Sequence, residues 1–168
     1  MKIIWLGHGS FRFEYDDQVI LIDPWLNGNP MLAEDQHAAA IAGASQILVT
    51  HGHFDHTVDL ANISKETGAP VSGMYELVPA LVAQGAIEGA GFNKGGTVEF
   101  GDIAVTMVPA SHSSSMEVDG ATRYMGSEIG YVLKGAGHTI YLSGDTGIMA
   151  DMDWIGDYFK PDVGILSA

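Results

Sequence analysis

Polar and apolar residues alternate over 10–15, where Ser10, Arg12 and Glu14 interleave with Phe11, Phe13 and Tyr15. A two-residue period sends successive side chains to opposite faces of a strand. Asp16-Asp17 turns the chain into 18–22, apolar from Val19 onward, so the pair predicts a β-hairpin whose second strand is buried on both faces. Residues 1–5 lead straight into a strand, and Asp23-Pro24 ends the hairpin and opens an Asn/Gly/Pro-rich loop over 25–30. Ile47-Leu48-Val49-Thr50 predicts another buried strand. Helical spacing follows at 58–67, closed by Gly68, and at 74–84, closed by Gly85, with 85–96 as glycine-rich connection. Residues 98–108 predict two strands joined at Gly101-Asp102, and 130–142 two more joined over 134–137. A helix over 149–159, stopped by Pro161, precedes a last apolar strand at 163–166. Pattern alone supports a mixed α/β domain.

Composition narrows the class. At 168 residues and 46% hydrophobic, the chain is expected to be one domain over 1–168 with a real core. No apolar run reaches the length of a membrane span, and the start has no signal-peptide layout, which predicts a cytoplasmic protein that does not engage membranes. The absence of Cys removes disulfides and thiolate ligands. A formal charge of −14 leaves no basic face for a phosphate backbone, so no nucleic-acid partner is expected.

The chemistry concentrates in His51-Gly52-His53-Phe54-Asp55-His56, directly after a buried strand. Along an extended segment alternate side chains share a face, so His51 and His53 can converge on one cation. Asp55 and His56 follow the start of a turn and can point at a second. Imidazole with carboxylate suits zinc first, with manganese or iron as alternatives. Two later strands run into loops at His112 and Asp145, each a ligand-type residue just past a strand end.

These segments, with Gly7-His8-Gly9-Ser10-Phe11, Leu21-Ile22-Asp23-Pro24, 108–114 and 143–146, resemble the metallo-β-lactamase-fold superfamily. Within it they are most similar to small metal-dependent hydrolases related to L-ascorbate-6-phosphate lactonase. The resemblance implies a four-layer αββα sandwich with two divalent metal ions. It assigns His51, His53 and His112 to the first, Asp55 and His56 to the second, and Asp145 to both. The implied reaction is hydrolysis of an ester, lactone or phosphoester bond in a small polar metabolite, attacked by a hydroxide formed on the metals, with Asp55 or a metal-bound water as proton carrier. The rival reading on the same fold is a redox-metal oxidoreductase or a metal-binding protein without hydrolytic activity.

Other residues carry weaker signals. His8 is a candidate for an active-site loop, and Asp23 is either a turn former or an acceptor orienting a ligand imidazole. Phe54 is expected to pack. Asn27, Asn29, the serines Ser113, Ser114 and Ser115, and Arg123 are candidate substrate contacts, Arg123 as a clamp for an anion from a polar insert over 117–127. His37 and His138 have no assigned role. Relatives of this fold supply one further histidine to the second metal after an additional strand, whereas all seven histidines here lie before Ala168. The expectation is a C-terminally incomplete domain, short of its last strand and helix, that forms a homo-oligomer or pairs with a missing C-terminal segment.

Overall fold

The computed structural model describes residues 1–15 and 17–167; Asp16, part of the turn assigned to the first hairpin, and Ala168 lie outside them. In chain order the first strands are β1 (Lys2–Gly7), β2 (Ser10–Glu14), β3 (Val19–Ile22), β4 (Gln46–Val49), β5 (Val71–Met74) and β6 (Glu88–Phe92). They form one sheet in the order β1-β2-β3-β4-β5-β6, antiparallel as far as β3 and parallel beyond it. The remaining strands are β7 (Thr97–Phe100), β8 (Ile103–Pro109), β9 (Ser115–Val118), β10 (Ala121–Tyr124), β11 (Ile129–Gly135), β12 (His138–Leu142) and β13 (Val163–Ile165). A second sheet has the order β13-β12-β11-β8-β7, while β9 and β10 stand apart as a two-stranded hairpin.

Alternation in the second sheet explains the layering. Val105, Met107, Tyr131, Leu133, Ile140 and Leu142 turn inward to one core shared with Phe13, Ile20, Leu48 and Val71 of the first sheet. The intervening Val108, Val132 and Tyr141 turn outward and are covered by Ile155, the buried residue of helix α5, where α1 is His37–Ile41, α2 Phe54–Thr57, α3 Leu60–Thr67, α4 Leu77–Ala83 and α5 Asp151–Phe159. Leu60 and Ile63 of α3 and Leu77 and Leu81 of α4 bury against the first sheet. Helix, sheet, sheet, helix is the four-layer sandwich that the motif resemblance implies.

Three elements differ from the sequence expectation. The helix expected over 74–84 begins only at Leu77, because Met74 ends β5. The connection expected over 85–96 contains β6, and the insert over 117–127 is largely the β9–β10 hairpin. In β5 the misleading glycine records close packing: a Cβ on Gly73 would stand 2.7 Å from Val49 Cγ1 and 2.8 Å from Val49 O. In β6, Ala90 N donates to Ser72 Oγ at 2.7 Å, a side-chain rung between two glycine-flanked strands.

Tyr131 joins the sheets where function concentrates. Its buried hydroxyl donates to Val49 O at 2.7 Å, crossing from β11 to the last residue of β4, two positions before His51. Tyr131→Phe should therefore lower stability by about 1–2 kcal/mol, because a buried acceptor loses its partner. Chemical denaturation checks this, and an unchanged midpoint and slope would show that the bond does not brace the strand end.

Candidate metal centre

Three strand ends meet at one edge of the sandwich. β4 leads into Thr50 and His51, β8 into His112, and β12 into Asp145. Hydrogen bonds lace the loops: Ser111 N donates to Thr146 Oγ1 at 2.9 Å, Gly147 N to Ser111 O at 2.9 Å, and Gly52 N to Ser114 Oγ at 3.1 Å. Ser114, in the serine stretch singled out as a candidate substrate contact, is buried and spent on this backbone bond. After Gly52 the extended backbone of His53 caps α2, which carries Asp55 and His56 on a single helical turn.

The first cluster joins His51, His53 and His112. His53 Nδ1 lies 3.0 Å from His51 Nε2 and 3.2 Å from His112 Nε2. Tetrahedral zinc with Zn–N bonds of about 2.0–2.1 Å needs ligand nitrogens about 3.3–3.4 Å apart, so the converging rings fit such an ion with little movement. The far sides of two rings are already held. Thr50 Oγ1 meets His51 Nδ1 at 3.0 Å, and Ser113 Oγ meets His53 Nε2 at 3.2 Å. Ser113 thus supports a ring of the cluster.

A second cluster joins His8, Asp55 and His56. His8 Nε2 is 2.7 Å from Asp55 Oδ2, while His56 Nε2 faces Asp55 Oδ2 at 3.7 Å and Asp145 Oδ2 at 3.5 Å. Those two distances are too long for hydrogen bonds, and His56 Nε2 is a buried polar atom without a partner. An orphaned buried nitrogen facing two carboxylates is what a cation-binding position looks like without its cation. Gly9 makes this possible: a Cβ there would come within 2.7 Å of His56 Cε1, so the His8 loop lies directly on the ring. A cavity of about 420 Å³ opens over this cluster, lined by His8, His56 and Asp145 together with Trp5, Phe11 and Leu166.

Asp23 fixes His56 from behind. Its carboxylate accepts His56 Nδ1 at 2.8 Å, Thr50 N at 2.8 Å and Thr50 Oγ1 at 2.5 Å. With Nδ1 so engaged, only Nε2 of His56 faces the cluster.

Charge divides the imidazoles. His51 is held down to about 4 by burial first and then by neighbouring His56, and His53 is lowered by burial and by His112. For His56, burial opposes the charge, but Asp23 and Asp145 overcome it and raise the ring to about 10. Asp145 is correspondingly lowered to about 2, chiefly by His56, and it also feels His51 and His112.

The weaker candidates separate clearly. Asn29 is buried and its amide is spent on Leu6 O, Trp25 O and Met31 N, so it holds the loop and does not face a ligand. Asn27 Nδ2 donates to Asp59 Oδ1 at 2.6 Å. Asp59, unmarked by any sequence motif, also takes Leu26 N and Asn27 N and anchors that loop. Arg123 is exposed on β10 and lines neither cavity at the centre among the described residues. Phe54 does not pack in the core: it is 67% exposed, with one edge on Trp25 at 5.7 Å between ring centres. His138 is exposed, its Nδ1 3.8 Å from Asp162, and His37 begins α1.

Comparison with known proteins agrees with this fold. The profile of the family described as beta-lactamase superfamily domain matches residues 18–167. A UPF0173 metal-dependent hydrolase of Roseobacter denitrificans is 62% identical over 168 residues, which is all of this chain and 73% of that protein. Among solved structures, a metallo hydrolase from the hyperthermophilic archaeon Ignicoccus hospitalis superposes with a TM-score of 0.83 at 29% identity, covering 98% of this chain and 69% of that one. A diiron beta-hydroxylase from Streptomyces venezuelae, at 19% identity and TM-score 0.74 over 95% of this chain and 32% of its own, shares the fold. Among the described residues no helix is long and apolar enough to cross a membrane.

Because Asp23 and Asp145 raise the His56 ring to about 10, a cation at its Nε2 would have to displace a proton at neutral pH. Affinity at the second cluster should rise by about tenfold per pH unit between pH 7 and 9, measured by chelator competition. Asp23→Asn removes a charge that raises His56 and should flatten this slope. A pH-independent affinity in the unaltered protein would show that the ring is already neutral.

Proposed function

We propose that this chain, which belongs to the UPF0173 metal-dependent hydrolases of the beta-lactamase superfamily, uses two divalent cations to hydrolyse an ester, lactone or phosphoester bond in a small molecule. The observation that carries the reading is the adjacency of a three-imidazole cluster and the unpartnered His56 Nε2 between two carboxylates. His51, His53 and His112 would hold one cation. Asp55 and His56 would hold the other, and Asp145 would serve both. An all nitrogen and oxygen donor set suits zinc, with manganese or iron as alternatives.

Bound there, two divalent cations would polarise the scissile group and make a neighbouring water acidic enough to deliver hydroxide at neutral pH. The chain's own residues do the remaining work. Asp23 and Thr50 lock the His56 ring, Ser113 steadies His53, and Asp145 offsets cationic charge between the clusters. Asp55 Oδ2 and His8 Nε2, 2.7 Å apart, form a pair through which a proton can pass towards the leaving oxygen. The partly exposed His8 stands at the mouth of the cavity, where such a proton is needed.

Two variants test the assignment. His53→Ala removes a donor of the first cluster that a methyl group cannot replace, and elemental analysis should show loss of one cation per chain. Full retention would refute that ligand set. Asp145→Asn keeps an oxygen but loses the charge facing both clusters, so turnover on lactone and phosphodiester panels should collapse while thermal stability changes little. Unchanged turnover in a metallated variant would rule out the bridge. Iron in the purified protein with oxygen consumption would favour the redox reading over hydrolysis.

A further inference from the structure

Beside the first cluster a cleft of about 470 Å³ runs between α2 and the β9–β10 hairpin. His53 and Asp55 form its inner wall, so it is continuous with the metal centre. Phe54, Val58 and Met116 supply apolar surface, and Gln84, Thr122 and Glu117 supply the polar positions. Phe54 and Val58 are 67% and 50% exposed although they sit within and just after the ligand motif. Water-facing apolar residues at such a place have a use when a ligand covers them.

The aromatic wall is braced. Trp25, itself buried, contacts Phe54 edge-on at 5.7 Å and His8 at 5.4 Å, and its indole nitrogen donates to Asn27 O at 2.7 Å. A ring held this way is ready to receive a partner without first being ordered. Charge adds the second constraint. None of the seven Lys and Arg residues lines this cleft or the cavity over the second cluster among the described residues. Arg12 is committed to Glu14 and to the carbonyls of Ala40 and Ala42, and Lys2 pairs with Glu14. The cleft presents Glu117 instead, on a chain of formal charge −14.

We propose that this cleft is a substrate subsite that receives an uncharged, apolar substituent and rejects a phosphorylated one. The inference rests on the hydrolytic reading of the metal centre and narrows its substrate class. The scissile group sits at the cations, and the non-reacting body of the molecule lies across α2 against Phe54 and Val58. A phosphoryl group on that body would meet Glu117 and no cationic side chain.

Binding can be measured without turnover. Straight-chain alkyl hydroxamates, whose head group chelates zinc, serve as probes for calorimetry on the zinc-loaded 168-residue chain, alongside one member ending in phosphate. Affinity should rise by about fourfold per added methylene until the cleft is filled, and the phosphate-ended probe should bind more weakly than its neutral counterpart. Phe54→Ala should flatten the series, and Glu117→Lys should tighten the phosphate-ended probe while leaving metal content unchanged. Both residues are exposed, so both variants should fold. Affinity independent of chain length, tighter binding of the phosphate-ended probe by the unaltered protein, or no binding of any member would overturn the proposal. If the series behaves as expected but no ester, lactone or phosphodiester is cleaved, the subsite stands and the hydrolytic reading falls.

Discussion

The buried carboxylate of Asp23 is the constraint on which the centre depends. It is 1% exposed and sits in a left-handed backbone conformation, φ +47°, just past the end of β3. An uncompensated charge in that position would cost several kcal/mol. Three donors prevent this, and each fixes something different. Thr50 N sets how the chain leaves β4, Thr50 Oγ1 stands against the His51 ring, and His56 Nδ1 sets which nitrogen of His56 faces Asp55 and Asp145. Asp23 N donates to Leu48 O at 3.0 Å and its carbonyl accepts Ser10 Oγ at 2.7 Å, so the same residue holds the first hairpin to the neighbouring strand. Fold and ligand geometry are therefore one arrangement at this point.

Folding alone gives no reason to crowd four imidazoles together. His51 lies 4.1 Å from His56 and 4.6 Å from His53 between ring centres, and these three cannot all be charged there. The chain settles this by protonating one ring. His56 takes the proton because Asp23 and Asp145 surround it, and His51 gives it up because it is buried beside a cation. Such a local conflict, retained at the meeting of three strand ends, is where function is expected to override stability. A divalent cation at each cluster would relieve this conflict by taking the place of the proton.

The sequence made the ligand motif legible because its residues are consecutive and follow an apolar strand. The first hairpin, β7 to β8 and β11 to β12 were legible for a similar reason: strong alternation bounded by turn residues. β5 and β6 were not, because Gly73, Gly89 and Gly91 look like connection in a linear reading, while in the folded chain they admit neighbouring atoms at close range. The β9–β10 hairpin is short and polar, so period-two patterning hardly appears. Asn29 and Asp59 show a different limit. Both are polar residues in or near a loop that composition associates with binding, yet their hydrogen bonds run inward to backbone groups 23 and 33 residues away in sequence. Only tertiary contact separates a loop that holds a ligand from a loop that holds itself.

Phe54 inverts that lesson. Its neighbours in the motif are ligand types, so an aromatic residue among them is easily taken as packing. In the structure α2 sends His56 into the interior, where it is 1% exposed, and Phe54 out towards water. One helical turn thus contributes a buried donor for a cation and an exposed apolar surface beside it. His56 of this turn lines the cavity over His8, Phe54 lines the cleft, and Asp55 both lines the cleft and meets His8 Nε2 at 2.7 Å. Among the described residues no cationic side chain lines either cavity, so on the proposed reading selection among substrates would come from shape and desolvation, with the metal centre as the attraction for a negative group. The charge that binds and the surface that discriminates would then be separate, so the reaction centre could stay constant while the fit of Phe54 and Val58 set which substituents it accepts.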